Sequence, residues 1–193
     1  MLLSSDPGKP VLPFAPVAML LPPSEDMYEV VVIPGKLVEL PGTHRIEPAG
    51  QPVPIGRPED ARPPEPDPKV YESDELYPGK LASVLGTQYK MGHGIAVINL
   101  NPVQYRPKSG RVYVYESLSV VVRTKVPAVP ATRIIPRKED AGEVGKLIDN
   151  PEVLERYRAA IEGGQVGDFE PLGSLVDPTD SYPYVIITTE AFK

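Results

Sequence analysis

Gly94-Ile95-Ala96-Val97-Ile98-Asn99-Leu100-Asn101-Pro102-Val103-Gln104-Tyr105-Arg106-Pro107-Lys108-Ser109-Gly110-Arg111-Val112-Tyr113-Val114-Tyr115 decides the fold class. Ile95 to Leu100 is a β-branched and aliphatic run that reads as a strong strand, and Val103 to Tyr105 extends it. Arg106 to Gly110 supplies a hairpin turn, Arg111 to Tyr115 returns, and the valine-dense Leu118 to Arg123 follows. Upstream, Tyr77-Pro78-Gly79 and Met91-Gly92-His93-Gly94 read as turns on either side of a strand over Lys80 to Val84. Short strands punctuated in this way predict an antiparallel β-meander within a sandwich rather than a parallel sheet with helices.

Working outward, Tyr28 to Ile33 is a strand ending at Pro34-Gly35, and Leu37 to Leu40 is expected to pair nearby. The opening segment, Gly8 to Pro23, mixes prolines with apolar residues and reads as an edge strand with turns. Between Glu47 and Pro68 the composition shifts to Pro, Gly, Ala and charge, with Arg57 and Arg62 its arginines. A loop of that length in a compact domain is uncommon and tends to be functional, and its prolines keep it extended. Beyond Lys125, Asn150-Pro151-Glu152 carries N-cap chemistry and predicts a short helix over about 151–162. Val153, Leu154, Tyr157 and Ile161 share its apolar face, which suits either the chain's own sheet or a separate domain. Finally, Tyr182 to Thr188 is so uniformly apolar that it reads as a strand buried on both faces, as in an α/β sheet.

Composition agrees with a β-rich reading. Among 193 residues there are 26 prolines, a density that rules out a helical bundle because each proline fixes φ and removes a backbone donor. A net charge of −6 leaves no electrostatic footprint for nucleic acid. No apolar run approaches the roughly 18 residues a membrane span requires. Residues 1 to 20 lack the basic-then-apolar order of a signal peptide. With no cysteine and two isolated histidines, His44 and His93, placed in loops, neither a Cys/His nor a Ser/His/Asp constellation is available for hydrolysis, and no metal site is expected. Glu72, Asp74 and Glu75 read as a solvated acidic turn, and Tyr105, Tyr113 and Tyr115 as residues paired across a sheet rather than a carbohydrate-binding strip.

Several of these pieces, in this order, resemble the N-terminal prodomain of gingipain-family cysteine peptidases. They are Gly8-x-Pro10-x-Leu12-Pro13, the Tyr77-Pro78-Gly79 turn, Gly94-x-x-x-Ile98-x-Leu100-x-Pro102-Val103-Gln104-Tyr105-x-Pro107, and Gly110-x-Val112-x-Val114-Tyr115. Tyr184-Val185-Ile186-Ile187-Thr188 resembles the first strand of the family's caspase-like catalytic domain. The resemblance implies a mainly β chain: an antiparallel β-sandwich prodomain over 1–125, with the Pro-rich loop 47–68 exposed. A linker and helical segment over 126–180 and the start of an α/β catalytic domain at 181–193 would follow. It further implies a secreted or cell-surface zymogen, no cofactor, and the chain's own peptidase catalytic domain as partner, with no role for nucleic acid or membrane. The chain itself would not be an enzyme.

In that family a basic residue on a prodomain loop enters the pocket that reads substrate Arg or Lys, which makes Arg57 the first candidate and Arg62 the second. Pro58 and Pro63 follow them, and proline after the arginine removes an N–H and restricts the preceding backbone, favouring inhibitor over substrate. Arg133, Arg137, Lys138 and Lys146 lack a following proline and are candidate processing sites. Lys193 is either a Lys-directed cut or an arbitrary end; if a cut, Lys69 joins the pocket candidates. The competing reading is an extracellular β-sandwich module that binds a glycan or a surface protein.

Overall fold

The computed structural model describes residues 1–57, 60–128 and 136–163. The expected strand at Tyr182 to Thr188 therefore lies outside the described residues. Among them the chain forms strands β1 (Leu2–Leu3), β2 (Pro13–Leu20), β3 (Asp26–Pro34), β4 (Leu37–Glu39), β5 (Ala82–Lys90), β6 (His93–Leu100), β7 (Val103–Arg106), β8 (Arg111–Tyr115) and β9 (Leu118–Lys125). Helix is confined to short pieces: α1 (Pro68–Tyr71), α2 (Ala141–Gly145) and α3 (Leu154–Glu162), with 3-10 turns at Lys138–Asp140 and Pro151–Val153. The mainly β, antiparallel architecture is the one the sequence predicts.

Two sheets form. The first runs β1-β2-β6-β5, with β2 and β5 both antiparallel to the central β6. In the second, β3 pairs with β9 and β4 pairs with β8, which in turn pairs with β7. Backbone bonds from Gly35 N to Ser117 O at 2.8 Å and from Glu116 N to Lys36 O at 2.9 Å carry the pairing across the break between these segments. The result is one long ribbon.

The structure corrects several local expectations. Val103 to Tyr105 does not prolong β6. Instead the chain turns at Asn101-Pro102 and crosses to the second sheet, because Pro102 has no N–H to continue the ladder. Nor does Leu37–Glu39 pair nearby; its partners are Tyr115, Val114 and Tyr113. The strand expected to stop at Val84 runs on to Lys90, absorbing Leu85 in a bulge opened by Gly86 at φ 109°. Its hairpin closes through Met91 and Gly92, both at positive φ, which moves His93 from the predicted turn into β6.

The segment 136–163 covers one face of the first sheet. Val144, Ile148 and Tyr157 pack with Leu20 and Ile95 into a buried cluster flanked by Ala18, Val97, Val153 and Leu154. The helix thus faces the chain's own sheet, and Ala160 joins Tyr157 among its buried residues. His93 lies at this junction with its ring 4.4 Å from that of Tyr157. The opposite face of the sheet carries Ala96, Ile98 and Leu100, all buried.

β2 was expected to be an edge strand. It lies between β1 and β6, but β1 pairs only with Phe14 and Pro13, so the outer edge of β2 is open further along. Asp149 and Asn150 close it. Asp149 N–H donates to Ala18 O at 2.8 Å, and Ala18 N–H donates to the Asp149 carboxylate at 2.8 Å. The Asn150 amide accepts from Leu20 N–H at 2.7 Å and donates to Leu20 O at 3.0 Å. Drawn to that edge, Asn150 makes no side-chain cap. The predicted helix accordingly opens as a 3-10 turn and becomes α-helical at Leu154.

Candidate functional site: a clamped arginine loop

Gly8 holds both ends of the Pro-rich loop. Its N–H donates to Ala49 O at 2.9 Å, and its C=O accepts from Asp67 N–H at 2.9 Å. On either side, Val11 N–H donates to Glu47 O at 3.0 Å and Ala49 N–H to Lys9 O at 2.8 Å. This neck needs glycine. Gly8 sits at φ 75°, and a Cβ there would lie 3.3 Å from Glu65 O and 3.5 Å from the Asp67 Cβ.

Side chains reinforce the neck. Asp67 caps α1 by accepting from Lys69 N–H at 2.9 Å and pairs with the Lys9 ammonium. Lys9 first, then the Lys69 N–H, hold its carboxyl below the usual carboxylate range. From α1, Tyr71 donates its hydroxyl to Ile46 O at 2.9 Å, just before the loop begins. Burial pushes the Tyr71 phenol up to about 12, with Tyr105, Glu47 and Tyr77 adding to it.

The resemblance motifs meet beneath the neck. Tyr77 and Tyr105 exchange backbone bonds at 2.7 and 2.8 Å. The buried Gln104 accepts from Gly79 N–H at 3.0 Å and donates to Asn101 O at 3.0 Å, satisfying the Tyr77-Pro78-Gly79 turn. Tyr105, Leu12 and Val112 form the core that supports this end of the molecule. Buried there, Tyr105 cannot belong to an exposed aromatic strip.

Above the neck, Arg57 N–H donates to Pro54 O at 2.9 Å and Arg57 O accepts from Asp60 N–H at 3.1 Å, so the tip is turned, not extended. Gly56, with no Cβ, lets the chain turn where the prolines suggested a stretched conformation. Arg57 is exposed at the tip. Arg62 is also exposed but lies back towards the neck, lining a cavity of about 240 Å3 with Gly8, Ala49, Gln51 and Glu65. Lys69 is in α1, at the base. The loop therefore sets Arg57 and Arg62 apart in position.

Pro58, Arg133 and Lys193 lie outside the described residues. Arg137 and Lys138 are exposed at the 3-10 turn, where Arg137 N–H donates to the Asp140 carboxylate at 3.2 Å and Lys138 pairs with Glu162 at 3.2 Å. Lys146 pairs with Glu143 at 2.6 Å. Asp74, from the predicted acidic turn, accepts from the Ser109 hydroxyl at 2.6 Å, and this bond first of all lowers its carboxyl pKa. His93 is buried, and His44 contacts Pro41 O at 3.1 Å. Sequence reasoning missed Gly8, Lys9 and Asp67 as the clamp. Its one signal was the glycine in Gly8-x-Pro10.

A second concavity of about 520 Å3 opens where the helix-covered face of the first sheet runs past the helices. Phe14, Tyr77, Lys80, Ser83 and Asn99 are among its lining.

No protein-family model matches the sequence, and no curated protein matches it significantly. The fold does have solved counterparts. It is similar to a chain in the complex of Porphyromonas gingivalis RgpB pro- and mature domains, with TM-score 0.58 and 21% identity over 78% of this chain and 76% of that one. A structure giving insight into zymogenic latency of gingipain K from Porphyromonas gingivalis matches with TM-score 0.49 and 21% identity, over 65% of this chain and 71% of that one. The chain carries the gingipain-prodomain fold.

Proposed function

We propose that this chain is the inhibitory and folding-assisting propeptide of a secreted gingipain-like cysteine endopeptidase, and that it blocks its own catalytic domain with a basic residue of the 47–68 loop. The chain contains no cysteine, so it acts on the peptidase rather than as one. The observation that carries the reading is the clamped loop: a Gly8-centred neck holds both strands of a long exposed segment with Arg57 at its tip. A guanidinium can donate paired hydrogen bonds to a pocket carboxylate, and the neck limits the entropy lost when the loop docks. The fold likeness to a chain of the RgpB complex supports the same partner. Arg57 is the anchor by position, Arg62 its rival, and Pro58 blocks turnover after Arg57. Arg133, Arg137, Lys138 and Lys193 are the processing candidates, with the exposure of Arg137 and Lys138 in favour of those two. On this reading 1–125 is the sandwich prodomain, 126–180 a linker and helical segment, and 181–193 the start of the catalytic domain.

Titration of the chain against the peptidase domain of the same zymogen, on an Arg or Lys ester, tests the reading. Arg57→Ala is expected to weaken inhibition about tenfold or more, equivalent to about 1.4 kcal/mol. If neither Arg57→Ala nor Arg62→Ala weakens it, the loop mechanism fails. A surface-module reading rests on a different observation, the 520 Å3 cavity beside Phe14 and Tyr77. Absence of any inhibition, together with glycan binding, would put that reading first.

A further inference from the structure

Within the Pro-rich loop, aliphatic side chains larger than alanine are scarce: Val53 is half-buried, and Ile55 is 104% exposed relative to a reference isoleucine. Ile55 occupies the second position of the turn closed by the Arg57-to-Pro54 bond of 2.9 Å. That position accepts most residues, so the turn does not itself require isoleucine, and the fully exposed side chain gains no burial from the fold. A β-branched side chain left wholly in water on the loop that carries the candidate arginine is free to serve a contact outside the molecule. The same turn places Ile55 and Arg57 together at the loop tip, so whatever receives one meets the other.

From this we infer that Ile55 is a second anchor of the loop, filling an apolar surface on the peptidase beside the pocket that receives the arginine. The inference rests on the pseudo-substrate reading and adds a partner chemistry to it: an acidic pocket bordered by an aliphatic-lined one. The charge supplies selectivity for a basic residue. Ile55 supplies apolar burial that this turn geometry alone would leave in water, and the neck delivers both in a fixed order.

The experiment is an inhibition titration of the parent chain, Ile55→Ser, Ile55→Val and Arg57→Ala against the peptidase domain of the same zymogen. Thermal unfolding is run in parallel. Ile55→Ser is expected to weaken inhibition about tenfold with an unchanged Tm, whereas Ile55→Val, which removes one methylene, loses about fourfold or less. Undiminished inhibition by Ile55→Ser overturns the inference, and so does an equal loss from Val and Ser. Failure of the underlying reading looks different: Arg57→Ala and Arg62→Ala would leave inhibition intact whatever Ile55 does.

Discussion

Replacing Asn150 by alanine removes the amide that closes the open edge of β2. Asn150 is 7% exposed and Leu20 2%, so the Leu20 N–H and C=O that bond to it at 2.7 and 3.0 Å would be left without a partner in a nearly dry site. Each orphaned buried group costs about 1–3 kcal/mol, and the pair about 2–6 kcal/mol if the edge does not open to water. Against a usual total of about 5–15 kcal/mol this is a large fraction. With a urea m-value of about 2 kcal/mol per M, the unfolding midpoint should fall by about 1–3 M at unchanged m. Asn150→Asp separates the two bonds. The carboxylate keeps an acceptor for Leu20 N–H but faces Leu20 O with no proton, so at neutral pH it should cost as much as alanine. At a pH low enough to protonate it, part of the loss should return. A midpoint shift below about 0.3 M for Asn150→Ala would show that the latch is not held by this amide.

The neck makes stability respond to acid and to alkali. Asp67 has its pKa lowered in the fold by Lys9 and the Lys69 N–H, so its contribution is present above the unfolded carboxylate value of about 3.9 and is lost as pH falls through the folded value. Urea midpoints measured from pH 7 downward should drop less steeply for Asp67→Asn than for the parent, with Asp74 sustaining the remainder; identical slopes would count against it. Tyr71 titrates the other way: its folded value of about 12 exceeds the unfolded value of about 10, so its contribution is intact below pH 10 and lost as pH climbs towards 12. Phenolate absorbance should show Tyr71 ionising late, together with Tyr77, whose phenol pKa burial also raises, and Tyr71→Phe should diminish that late step.

Strand identity was legible wherever valine, isoleucine and tyrosine dominate, as in Ile95 to Leu100 and Arg111 to Tyr115, because a half-buried pleated surface selects those residues locally. Pairing was not. Val30 meets Val122 and Leu37 meets Tyr115 across long sequence separations, and no local signal encodes such partners. β5 runs past the expected end at Val84 because pairing with β6 overrides the low strand propensity of Gly86. Asn150 reads as a helix cap until a more deeply buried edge competes for the same amide. For the candidate site, the long loop and its arginines were visible in composition, but the clamp was not. Its bonds run from Gly8 to Ala49 and Asp67, and only the fold brings those positions together.

Because a single residue grips both ends of the loop, everything between Ala49 and Asp67 is a cassette. The sandwich, its helical cover and the tyrosine-supported base can stay fixed while the intervening residues change in length or chemistry, since lengthening a loop whose ends are already joined adds little closure entropy. On the proposed pseudo-substrate reading, drift in the insert can then track drift in the specificity of the peptidase with little cost to folding. For engineering, the same arrangement makes the chain a scaffold on which a different recognition peptide can be displayed between two fixed posts.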